Sequence, residues 1–183
     1  MNFSKFLLIS LLILSYPTLA QNQAKIDSLK NIINTTKVDT TKIKAIYDLA
    51  SELQYFNPDT AILLSKQALA LAKRESFKKG VGKGFHQLGN FYTDIGNYET
   101  ALKYYNHALD IWNKLLNISK SPNLQIKKYF SSTLGSIGLI YKNKGDYPKA
   151  LEHFYQVLDI FKELGHKNYI ATTLGNIGLI HYN

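Results

Sequence analysis

The chain has 183 residues, a formal net charge of +9, 45% hydrophobic residues and no cysteine. That hydrophobic share fits a folded chain, and the missing cysteine excludes disulfides, thiol catalysis, cysteine-based zinc sites and a lipid-modified cysteine. The basic excess is lysine spread along the chain, with Arg74 the sole arginine, which argues against a nucleic-acid reader built on clustered patches and arginine forks.

Residues 1–20 read as a secretory signal peptide. Lys5 gives a positive start, Phe6 to Leu14 an apolar run, Pro17 a break, and Ala20 a small residue at the cleavage position. The run is well short of the roughly 20 residues that span a bilayer. The mature chain is therefore expected to begin at Gln21 on the periplasmic or extracellular side, without a membrane span. Residues 21–40 form an N-terminal helix and linker, with Ile26, Leu29, Ile32 and Ile33 at helical spacing.

From residue 41 the chain reads as an array to 183, in units of approximately 41–78, 82–118, 124–165 and a partial 169–183. The first unit pairs a helix carrying Ile43, Ile46, Leu49, Ala50 and Leu53 with one that starts at Asn57-Pro58-Asp59. There Asn is an N-cap, Pro suits the first helical position, and Asp favours the positive helix start. The second pairs Phe85, Leu88, Gly89 and Tyr92 with Ala101, Tyr105, Ala108 and Ile111, across Gly96-Asn97. The third pairs Leu134, Ile137, Gly138 and Tyr141 with Ala150, Phe154, Val157 and Ile160, across Gly145-Asp146.

Direct repetition supports this division. TLGSIGLI at 133–140 returns as TLGNIGLI at 173–180, and the stretch 96–115 returns without a gap at 145–164. A period of this length is the mark of a helical array rather than a closed globular domain. Glycine inside a helix costs about 1 kcal/mol against alanine, so its return at Gly89, Gly138 and Gly178 predicts close helix packing at each.

These positions resemble the tetratricopeptide repeat. Gly89, Tyr92, Gly96, Tyr98, Ala101, Tyr105 and Ala108 follow the family's pattern, as do Gly138, Tyr141, Gly145, Tyr147, Ala150 and Phe154, with Val157 replacing the last alanine. In the first unit Ala50 takes the glycine position. The resemblance implies an all-α, right-handed solenoid of antiparallel hairpins, about three full and a partial fourth. The units are longer than the basic repeat, with the extra residues between hairpins, as in arrays that precede signalling modules of exported or membrane-bound bacterial sensors.

No catalytic motif stands out. His86, His107, His153, His166 and His181 lack metal-ligand spacing. Gly80-Val81-Gly82-Lys83-Gly84 lacks the spacing of a phosphate loop and is expected to end one helix and admit the next. No cofactor or metal is expected.

The family register instead points to exposed first-helix positions on the concave surface: Tyr47, Ser51, Gln54, Lys83, His86, Asn90, Thr93, Ser132, Leu139, Lys142 and Asn143. The resemblance implies that such positions grip a protein or peptide segment. This set is polar and mildly basic, which suits an acidic segment, although it lacks a multi-lysine carboxylate clamp. The expected function is a non-enzymatic interaction scaffold. The alternative is the sensory front of a longer signal-transducing enzyme, such as a histidine kinase or nucleotide cyclase. Leu174, Ile177 and Ile180 present an apolar face with no partner helix after it, so the array is expected to continue past Asn183 or to self-associate there.

Overall fold

The computed structural model describes residues 22–118 and 123–182; the predicted signal segment lies outside them. Every regular element among the described residues is an α-helix. Helix α1 covers 22–35. It is followed by α2 (Thr40–Leu53), α3 (Pro58–Arg74), α4 (Lys78–Asp94), α5 (Tyr98–Ile118), α6 (Leu124–Asn143), α7 (Tyr147–Glu163) and α8 (Lys167–Tyr182). The fold is an α-solenoid of three full hairpins, α2/α3, α4/α5 and α6/α7, with α8 as a partial fourth.

Local chemistry sets the helix ends. The side chains of Asp39, Asn57, Asn97, Asn123 and Asp146 each accept a hydrogen bond from a backbone N–H in the first turn of the helix that follows. Pro58 and Pro148 sit in first turns, where no backbone donor is needed. Helices α4 and α6 end on Gly96 (φ +77) and Gly145 (φ +76), a left-handed conformation that glycine adopts without strain. The turns close with Asn97 N–H donating to Tyr92 O at 2.8 Å and Asp146 N–H donating to Tyr141 O at 2.9 Å.

Small residues let large ones enter. A Cβ on Gly89 would lie 2.4 Å from the Tyr105 ring, and one on Gly138 would lie 2.9 Å from the Phe154 ring. Ala101, Ala108 and Ala150 are fully buried beneath the same hairpins. Around them the core is close-packed, with Trp112, Tyr105 and Phe154 each about 1% exposed.

The segment 80–84 is a correction. It does not end a helix: α3 stops at Arg74, the connection is only 75–77, and all three glycines lie inside α4 and are buried. A Cβ on Gly80 would meet Phe77 at 2.2 Å, one on Gly82 Trp112 at 2.5 Å, and one on Gly84 Tyr47 at 2.1 Å. Burial of three aromatic side chains outweighs the low helix propensity of glycine there. Gly178 is a second correction, because a Cβ on it would meet nothing within 4 Å.

Each helix from α2 to α8 packs on the next. In addition α2 touches α4 and α4 touches α6, while no comparable contact joins α3 to α5 or α5 to α7. First helices crowded together and second helices splayed apart mean that the stack curves, with α2, α4 and α6 on its concave side.

Candidate concave binding groove

Three depressions lie along the first helices. One, of about 340 Å³, lies between α2, α4 and α6 and includes Asp48, Ser51, Lys83, His86, Asn90 and Ser132. A second, of about 360 Å³, includes Gln54, Asn90, Thr93, Asp94, Ser136 and Leu139. A third, of about 200 Å³, lies between α6 and α8 and includes Ser132, Ser136 and Leu139. Shared walls join them into one channel: Asn90 belongs to the first and second, Ser132 to the first and third, and Ser136 and Leu139 to the second and third.

The floor is held by internal polar contacts. Gln87 Nε2 donates to Tyr47 O and to Ser51 Oγ, both at 2.7 Å, and Gln87 Oε1 accepts from Ser65 Oγ at 3.2 Å. One amide therefore ties α2, α3 and α4. Thr133 Oγ1 donates to Tyr129 O at 2.9 Å. A hydroxyl has one hydrogen, so Thr133 must accept from Trp112 Nε1–H (3.3 Å) and from His86 Nδ1 (3.0 Å). That assigns the Nδ1–H tautomer to neutral His86. Burial lowers the His86 pKa to about 4 from the usual 6.5, since the charged ring loses its hydration there. Tyr105 Oη donates to Asn90 Oδ1 at 2.7 Å, which anchors the Asn90 amide at the groove.

The sequence-predicted residues divide into three sets. Ser51, Gln54, Lys83, His86, Asn90, Thr93, Ser132 and Leu139 line the channel. Lys83 Nζ lies 5.2 Å from the centre of the Tyr129 ring, and Gln54 donates to Asp94. Lys142 donates to Asn176 at 3.0 Å and Asn143 is exposed at the end of α6; neither lines the three depressions.

Tyr47 also lines the first depression, but it is corrected from an exposed position to a buried one, at 6% exposure. Its ring enters the α2/α4 contact because Gly84 has no side chain to exclude it. Its hydroxyl has no hydrogen-bond partner, and burial raises its pKa.

Sequence reasoning missed one whole register row. Asp48, Gln87, Ser136 and Asn176, each two residues before the small packing position of its unit, all line the depressions. Their recurrent polarity was the available signal. Asp48 and Asp94 also overturn the mildly basic reading, because they offset Lys83 along the first two depressions.

Among the described residues no group of three or more His, Cys, Asp or Glu side chains is placed to hold a metal ion. No described helix is long and apolar enough to cross a membrane.

Two family models described as tetratricopeptide repeat match residues 85–123 and 129–182, together about half of the chain. A search against curated proteins finds no match. Among solved structures, MamA is similar at 24% identity and a TM-score of 0.55, covering 82% of this chain and 74% of that one. BtubC (BKLC) from P. vanneervenii is similar at 18% identity and a TM-score of 0.68, covering 89% and 64%. A Podosopora anserina kinesin light chain with nearly identical TPR-like repeats is similar at 15% identity and a TM-score of 0.65, covering 91% and 80%. At these identities the likeness is one of fold.

Proposed function

From the premise that this chain is a tetratricopeptide-repeat scaffold, we propose that its concave channel binds an extended segment of a partner protein. The observation that carries this reading is the joining of three depressions into one channel along α2, α4, α6 and α8. A continuous trough suits a linear ligand better than a compact one. The internal contacts at Gln87 and Thr133 lock its floor, so little ordering entropy is left to lose on binding. In this reading the chain is a binding module and not a catalyst, and the signal segment expected at 1–20 supports a working location on the periplasmic or extracellular side.

The test is selection from a displayed library of random twelve-residue peptides. Enriched peptides should bind the Lys83→Ala/Asn90→Ala double variant about tenfold or more weakly than wild type; loss of the Tyr105–Asn90 bond should lower that variant's melting temperature, so binding is measured well below it. Peptides indifferent to both changes, yet weakened by a charge reversal at exposed Asp110 on α5, would move the site off the concave face.

A further inference from the structure

Superposing the repeat units on their small packing position gives a graded inner surface. Three residues before that position stand Tyr47, His86, Gly135 and Gly175, on α2, α4, α6 and α8. One residue after it stand Ser51, Asn90, Leu139 and Leu179. In these two rows the first half of the channel bears side chains with polar atoms and the second half bare or aliphatic positions. The first depression also has the rings of Tyr47, Trp112 and Tyr129 in its wall, but it carries Asp48 and Lys83, whereas the third carries no charge.

Gly135 has no packing reason to be glycine. A Cβ there would meet only Val157 Cγ2, at an ordinary 4.0 Å, and one on Gly175 would meet nothing within 4 Å. Gly138, one turn on, is glycine because Phe154 lies against it. Glycine weakens a helix interior relative to alanine, so Gly135 carries that penalty without repayment from the fold.

What its bareness opens is the third depression, about 200 Å³, walled by Phe154, Val157, Phe161, Tyr169 and Leu139, the last 38% exposed. No charged residue lines it. Four of its six hydroxyls are turned back on their own helices: Ser131 donates to Lys127 O, Ser136 to Ser132 O, Thr172 to Asn168 O and Thr173 to Tyr169 O. Asn176 Oδ1 is taken by Lys142. These hydrogen bonds leave methyl, methylene and ring surface as the larger part of what the cleft offers a ligand.

We propose that the channel is bipartite: the cleft over Gly135 anchors one leucine-sized apolar side chain of the bound segment, while Asp48, Lys83 and Asn90 in the other half take polar residues of the same segment. This rests on the concave-channel reading above. Continuity through Ser132 and Ser136 sets the two subsites side by side, within reach of one short extended peptide.

The experiment uses peptides enriched from the same random library on the wild-type protein. They should share an apolar position, and replacing it with serine should weaken binding by about tenfold or more. Gly135→Leu fills the cleft. It should melt at or above the wild-type temperature and lose those peptides by a similar factor.

Peptides without a shared apolar position overturn the proposal. So do peptides that bind Gly135→Leu with wild-type affinity yet are weakened by Lys83→Ala/Asn90→Ala, an outcome that leaves the concave reading standing. Indifference to both variants removes both readings. If Gly135→Leu melts early, the serine substitution in the peptide still decides, because it leaves the protein untouched.

Discussion

The octapeptides at 133–140 and 173–180 differ at one residue, yet the fold treats them differently. On α6, Leu134 is 5% exposed and Gly138 lies under Phe154; on α8, Leu174 is 49% exposed and Gly178 faces open space. Thr133 accepts from Trp112 and His86, whereas Thr173 makes only its own bond to Tyr169 O. The residues one unit on from His86 and Trp112 are Gly135 and Phe161, which offer no such donors. The same string is core in one place and half surface in the other, so burial in a solenoid is set by neighbouring helices rather than by the string itself.

The largest expected effect tests that contrast directly. Leu134→Ala should cost about 2–5 kcal/mol through loss of buried surface and the cavity left behind. Leu174→Ala, at a half-exposed site, should cost under about 1 kcal/mol. Equal losses in denaturant unfolding would mean that α8 is covered in solution as α6 is covered here.

The contrast also marks how far a sequence speaks. Close packing at Gly89 and Gly138 was legible because the same residues recur at a fixed spacing; the rings that fill the space, Tyr105 and Phe154, are seen in the fold. The segment 80–84 was misread because three glycines signal a break by propensity, and only the approach of Phe77, Trp112 and Tyr47 shows why they stand inside a helix. Most of the channel residues were legible from register. The burial of Tyr47 was not, because it depends on the bareness of Gly84, a residue 37 positions away. The opening at Gly135 was likewise hidden, since a glycine that packs against something and one that leaves a cleft look alike in a string.

A smaller effect sharpens the contrast at the threonines. His86 is neutral in the fold, with its pKa lowered to about 4, and titrates near 6.5 when unfolded. Between those values the unfolded chain binds the extra proton, so stability falls as pH drops through about 6.5. The loss is complete below about 4 and amounts to about 3 kcal/mol from this one group. His86→Gln, which keeps a donor near Thr133, should flatten the acid limb of a stability-versus-pH curve. An unchanged limb would assign the acid loss to other groups.

The smallest effect is the most diagnostic, because the two sites should respond with opposite signs. Alanine gains about 1 kcal/mol over glycine inside a helix, and at Gly178 nothing within 4 Å opposes the new methyl group. Gly178→Ala should therefore raise the melting temperature by about 2–4 °C. At Gly138 the methyl group would press on the Phe154 ring at 2.9 Å, and that ring is 1% exposed. Overpacking of about 1–3 kcal/mol then cancels or exceeds the propensity gain, so Gly138→Ala should leave the melting temperature unchanged or lower it. A rise at both sites would show that Phe154 yields and that the close approach of α6 to α7 is not the reason for glycine there. A fall at both would show that α8 is held against another helix in solution.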